Sequence, residues 1–246
     1  MFIGLSAGYI GSLIVLKRMA LVGDALSHVA LPGLALGILF NFNPFLGAFA
    51  FLFVSAVLTW YIERTAKLPA ESIVGVLFVT ALAIGILTIP EEGLLEALFG
   101  DISKITTVGA VLTILTSVAV MYIMKITYNK LVLAVISEEL AVSKGINVTL
   151  VNLVYLLLVS IVVAIGVSVV GTLLIGALVV IPAVAAKIIS PNLSRYAFLS
   201  SIFGLVSATA GVISASYTNL PAGPLAIFSG LTLFLGCLAA KKFVLK

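Results

Sequence analysis

Residues 150–189 read LVNLVYLLLVSIVVAIGVSVVGTLLIGALVVIPAVAAKII, and no charged side chain falls between Lys144 and Lys187. As one straight helix these forty residues would reach ~60 Å, twice the ~30 Å hydrocarbon core of a bilayer. The run must therefore turn back on itself. Gly166, Ser168, Gly171 and Thr172 mark the expected place, because small and glycine-rich positions are where apolar runs reverse. Two consecutive membrane crossings follow, and with them an all-α integral membrane protein.

The rest of the chain agrees. Of 246 residues, 63% are hydrophobic and 9% charged, with mean hydropathy +1.36. A soluble domain carries about a quarter charged residues, so this chain cannot cover a water-facing surface. Nine apolar stretches can be marked: 2–16, 20–40, 45–62, 73–89, 107–124, 150–170, 172–189, 196–216 and 223–240. The first is short, which puts the expected span count at eight or nine. Neither a basic n-region nor an A-x-A site marks a removable signal peptide at the N-terminus. Cys237, the single cysteine, sits in an apolar stretch and reads as a small packed hydrophobe.

Basic residues set the orientation. With the stretches alternating, twelve of the thirteen Lys and Arg fall on one side and only Lys104 on the other. The basic side is the cytoplasmic one, so the C-terminus is expected inside. Because the basic residues flank apolar stretches singly or in small groups, the net charge of +4 reflects topology, and no nucleic-acid partner is expected.

Asp24 is the only acidic residue inside an apolar stretch, and His28 is the only histidine. An Asp at a helix centre costs ~2.5–3.5 kcal/mol on insertion scales, so its presence calls for a function. Their i, i+4 spacing puts both on one helix face. Gly23, Ala25, Ser27 and Ala30 leave room around them. Pro32 has no N–H for the carbonyl of His28, which is expected to be freed toward the same region. Carboxylate and imidazole together suit Zn²⁺, Mn²⁺ or Fe²⁺, and the lack of thiolates disfavours Cu⁺. Two ligands are too few for a closed site, whereas a two-fold dimer would offer two Asp and two His. The bland alternative is that Asp24 reaches the inner interface and His28 merely packs.

Two polar loops stand out. The outer one, 90–106, holds Glu91, Glu92, Glu96 and Asp101. The inner one, 127–147, carries Ser137-Glu138-Glu139-Leu140-Ala141-Val142-Ser143-Lys144-Gly145, which reads as a short helix. Ser137 caps it, the two Glu suit its positive end, and Gly145 takes the left-handed position after it. The chain contains no Gly-Lys pair and hence no P-loop, so ATP-driven work would come from another chain and no enzymatic activity is expected here. Gly4-Leu5-Ser6-Ala7-Gly8 formally matches G-x-S-x-G, but it also satisfies G-x-x-x-G, a helix-packing motif.

Gly23-Asp24-Ala25-Leu26-Ser27-His28-Val29-Ala30-Leu31-Pro32-Gly33 resembles the G-D-A-[IL]-S-H-[AS]-x-L-P-G signature of the permeases of ABC importers for zinc, manganese or iron. Weaker matches follow in order: Gly75 and Phe78, Leu98-Phe99-Gly100-Asp101-Ile102, and Glu139-Leu140-Ala141 with Gly145. Val170-Gly171-Thr172-Leu173-Leu174, Ile181-Pro182-Ala183 and Leu220-Pro221-Ala222-Gly223-Pro224 complete the set. The resemblance implies one permease domain over residues 1–246, working as a homodimer or pseudo-dimer. It also implies two cytoplasmic ATPase subunits and an extracytoplasmic metal-binding protein as partners. Asp24 and His28 would lie on the path of the transported divalent metal, with no permanently bound cofactor. Glu138, Glu139, Leu140, Ala141 and Gly145 would belong to a helix that docks on the ATPase. Two rival readings remain at this stage: a self-contained, gradient-driven metal carrier, and an intramembrane hydrolase built on Ser6 and His28.

Overall fold

The structure, a computed structural model, describes residues 1–89, 98, 106–218 and 220–244. Among these residues the chain is almost wholly helical, in eleven helices. They are α1 (Phe2–Leu16), α2 (Ala20–Val29), α3 (Leu31–Leu39), α4 (Pro44–Ala66), α5 (Ala70–Thr88) and α6 (Thr107–Ile136). Then come α7 (Glu138–Ser143), α8 (Val148–Val170), α9 (Thr172–Ile189), α10 (Leu193–Thr218) and α11 (Ala222–Val244). Seven helical segments are long and apolar enough to cross a membrane, with α2 and α3 counting as one segment. Phe2–Leu16 and Leu174–Ile189 are shorter apolar helices. All nine stretches marked in the sequence are thus helical, although two fall below the usual spanning length.

The turn in the long apolar run falls at Gly171, between α8 and α9. Its φ of 87° and ψ of 165° lie in a region that only glycine occupies at low cost. The inner loop is shorter than the sequence suggested, because α6 continues through Thr127–Lys130 to Ile136. At ~45 Å, α6 is longer than the hydrocarbon core, so its polar end projects past the membrane without unwinding. There the Thr127 hydroxyl bonds the Ile123 carbonyl, within the helix.

α1 and α8 form the centre. Tyr155, Val159, Val162 and Val163 of α8 are fully buried, as are Ala7, Leu13 and Ile14 of α1. Glycines let the backbones meet: Gly4 of α1 lies against the Gly204 carbonyl of α10, Gly8 against the Ser200 carbonyl, and Gly11 against the Val179 carbonyl of α9. The Ser200 hydroxyl donates to the Gly8 carbonyl. G-x-x-x-G in α1 is therefore a packing surface. Ser6 is buried within it and donates to the Ile3 carbonyl of its own helix at 3.0 Å.

The outside of the bundle is apolar. Leu87, Val108, Val76, Tyr122 and Phe228 are all more than 60% exposed. In water this would be a liability, whereas against lipid tails it costs nothing. At one end, three hydrogen bonds tie helix termini together: Lys17 Nζ to Asn152 Oδ1 (2.8 Å), Trp60 Nε1 to the Thr149 carbonyl (2.9 Å), and Tyr128 to the Leu193 carbonyl (3.2 Å). They draw the basic ends of α1, α4 and α6 to the starts of α8 and α10, as the charge pattern requires. Lys17 also sits 4.4 Å over the Tyr155 ring. It is thus held by protein in the α1–α2 turn, and the turn is docked against the second turn of α8.

Candidate metal site

Asp24 and His28 are carried by α2, one turn apart on one face. Asp24 is exposed at the surface of the single chain, as is Leu21 three residues earlier, and His28 is half-buried. The Ser27 hydroxyl donates to the Asp24 carbonyl at 2.6 Å, which removes a competing polar side chain from the face. The His28 ring lies 5.5 Å from the Phe78 ring of α5, tilted by 53°, and its Nδ1 is buried without a hydrogen-bond partner among the described residues. A ligating histidine is normally fixed through its second nitrogen; here an aromatic wall limits the ring instead.

α9 gives the depth of the site. A side chain at Gly176 would meet Asp24, so the two residues are level in the bundle. Gly176 lies thirteen residues, ~20 Å, before the end of α9 at Ile189. Asp24 is only four residues into α2, yet it lies well inside the bundle, because the α1–α2 turn is itself embedded. This depth argues against a carboxylate that simply reaches the inner interface.

The Pro32 expectation needs correction. The carbonyls of Ser27 and His28 both accept backbone N–H groups where α2 ends, with Ala30 N–H on Ser27 at 3.3 Å. Pro32 opens α3, where its missing N–H is one that a helix leaves unbonded. The tightened turn satisfies the carbonyl that the proline would have orphaned, so His28 offers its side chain only. Among the described residues, no three His, Cys, Asp or Glu side chains gather to hold a metal ion.

The short inner helix is present as α7. Ser137 Oγ accepts from Leu140 N–H at 3.2 Å, Glu138 and Glu139 occupy the first turn, and Gly145 has φ +73°. Leu140 and Val142 are about half exposed, whereas Ala141 is fully buried against its own chain, and its carbonyl accepts from Ile146 N–H. Ala141 anchors the helix, leaving Glu138, Glu139, Leu140 and Gly145 outward. Glu91, Glu92, Glu96 and Asp101 lie outside the described residues.

The profile of the ABC 3 transport family matches residues 1–241. The chain belongs to that family. It is a multi-pass membrane permease, and its relatives are named as transport-system membrane proteins, not as hydrolases. The permease is 27% identical over 233 residues to the high-affinity zinc uptake system membrane protein ZnuB of Buchnera aphidicola subsp. Baizongia pistaciae, covering 92% of this chain and 89% of that one. It is 30% identical over 237 residues to the manganese import system permease protein ScaB of Streptococcus parasanguinis, covering 95% and 85%. Among solved structures it resembles PsaBC from Streptococcus pneumoniae in complex with Fab, with TM-score 0.83 and 29% identity, over 96% of this chain and 87% of that one. Sequence reasoning missed the close approach of Gly176 to Asp24, because no local signal distinguishes this residue from the permease's other helix-packing glycines.

Proposed function

We propose that this chain is the membrane-spanning subunit of an ATP-driven importer that carries a divalent transition metal, zinc, manganese or iron, past Asp24 and His28. One observation carries the reading. A carboxylate and an imidazole share one face of α2, deep in the bundle, and the carboxylate is open at the outside of the single chain. An Asp facing lipid at that depth would be costly. A second copy of this chain, related by a two-fold axis beside α2, would cover it and bring the ligands to two carboxylates and two imidazoles, a full shell for such a metal. The curated relatives are named for zinc uptake and manganese import.

The chain crosses the membrane eight or nine times as a single domain, with its basic ends and C-terminus in the cytoplasm. Hydrolysis belongs to two cytoplasmic ATPase subunits, on which α7 docks. An extracytoplasmic metal-binding protein delivers the cargo near the acidic segment of Glu91, Glu92, Glu96 and Asp101. The metal would exchange its water for Asp24 oxygen and His28 nitrogen, then leave inward as the two chains move apart.

The test is uptake of radioactive zinc, manganese and iron by cells whose only importer contains wild-type permease, Asp24→Asn or His28→Ala. Asp24→Asn keeps the shape and removes the anion. Both variants should reach the membrane at normal abundance and lose uptake of the transported metal by at least ~10-fold. Normal uptake in both would refute the site. Uptake that persists after deletion of the partner ATPase would favour a gradient-driven carrier.

A further inference from the structure

The surroundings of Asp24 on its buried side are formed by α9, and there the contact is unusually close. A Cβ built on Gly176 would lie 2.7 Å from Asp24 Cα, 2.8 Å from its Cβ and 2.8 Å from its Oδ1. The hydrogen at position 176 is thus all that separates the α9 backbone from the carboxylate. We infer that Gly176 is a positioning residue of the metal path: its missing side chain sets where the Asp24 carboxylate stands, and through it which metal the site prefers. The inference rests on the reading of Asp24 as a metal ligand.

The argument turns on which helix would yield to a methyl group at 176. α9 is also held by α1, because the Val179 carbonyl lies against Gly11 of that buried helix, where a Cβ would already clash. One turn along, a Cβ added at Gly23 would meet Val179 at ordinary distances of 3.7 and 3.9 Å, so the close approach of α2 and α9 is confined to Asp24 and Gly176. α2, by contrast, meets no helix of its own chain on its outer face at Leu21 and Asp24, only the contact with the second copy. α2 is therefore the partner that moves. To restore ordinary contact, Asp24 must retreat from 2.7 Å to 3.4 Å or more, a shift of at least about 0.7 Å. Metal–oxygen bond lengths tolerate ~0.2 Å, so the shift is several times what coordination absorbs.

The consequence differs between metals. Manganese depends on carboxylate oxygen, whereas zinc is held well by imidazole nitrogen. The displacement is largest at Asp24, which faces the added methyl group, and smaller at His28, one turn along and packed on Phe78, so manganese should lose more than zinc. Loss of a group that orients a ligand typically weakens metal binding ~10–100-fold. For Gly176→Ala the larger factor is expected for manganese and the smaller for zinc, so the zinc-to-manganese affinity ratio rises.

The experiment is equilibrium dialysis of radioactive zinc and manganese against the purified permease in lipid nanodiscs, with thermal melting of each variant. Gly236→Ala, whose added Cβ meets nothing within 4 Å, serves as the control for a glycine-to-alanine change. Gly176→Ala should weaken manganese binding ~10–100-fold and zinc binding less. Unchanged affinities, or equal loss of both metals, would overturn the inference. Should Gly176→Ala alone fail to reach the membrane, the double variant Gly176→Ala with Val179→Ala returns volume beside Gly23 while keeping the methyl group against Asp24, and should raise the ratio likewise; an unmoved ratio there overturns the inference as well. Asp24→Ala separates this inference from its premise. If Asp24→Ala binds both metals normally, the ligand reading itself falls; if it loses them while Gly176→Ala does not, only the role of Gly176 falls.

Discussion

Gly8→Ala is the smallest change that probes why α1 sits at the centre of the bundle. A Cβ at position 8 would run into the Ser200 carbonyl oxygen, 2.8 Å from its carbon and 3.1 Å from Ser201 Cα. All of these are backbone atoms of α10, so no side chain can swing away and the two helices must part. Forcing one methyl group into such a contact costs about 1–3 kcal/mol. Parting also weakens the Ser200 hydrogen bond to the Gly8 carbonyl, worth about 0.5–1.5 kcal/mol. Alanine returns up to ~1 kcal/mol through its better helix propensity. The net is a destabilisation of about 2 kcal/mol, or ~4–8 °C in melting temperature for a chain of this size. Trp60 is the only tryptophan, and it bridges α4 to the start of α8 through the Thr149 carbonyl, so its fluorescence reports the collapse of the bundle directly. Ser6→Ala is the matched control. Its hydroxyl bonds only its own helix, and the variant should melt and transport as the wild type does. A Gly8→Ala protein that melts with the wild type would refute the packing reading of G-x-x-x-G. Loss of transport in Ser6→Ala at normal abundance would show that Ser6 does more than pack.

Two further outcomes follow from the same geometry. Leu140→Asp places a charge on an apolar side chain that is half exposed on α7; it should leave insertion intact but release the ATPase on pull-down from solubilised membranes, and full recovery with normal uptake would remove α7 from coupling. Gly171→Ala forces a side chain into φ 87°, ψ 165° at the α8–α9 turn and should cost about 1–3 kcal/mol; an unchanged melting temperature would mean that the turn relaxes freely.

Much of this architecture can be read locally. The turn at Gly171 is legible because an uninterrupted apolar run of forty residues cannot fit a bilayer in one pass. The cap at Ser137 and the stop at Gly145 are legible because helix ends need particular side chains and backbone angles within a few residues. The end of α6 was misjudged for a related reason. Hydropathy marks where lipid ends, and a helix that projects into water can keep its backbone bonds beyond that point, as Thr127–Ile136 do.

Depth and distance are what a linear reading lacks. Asp24 follows closely on Lys17 and Arg18, and on that spacing alone its carboxylate belongs near the inner surface, where it would need no function. The fold places it elsewhere because α1 is short and the turn after it is drawn into the protein, Lys17 being held by Asn152 and by the Tyr155 ring. α2 consequently starts inside the bundle and delivers Asp24 beside Gly176, a residue 152 positions away in the chain. A basic residue counted as a surface marker is, in the folded chain, part of what sets the height of the acidic one. The Gly176 contact arises from that same docking. It depends on how far α2 is raised, on the way Gly11 pins α9 and on the absence of a single methyl group, and each of these is a tertiary fact. Motif and spacing therefore name Asp24 and His28 as the pair to test for metal binding, while the packing of α1 and α9 around them decides where those groups stand.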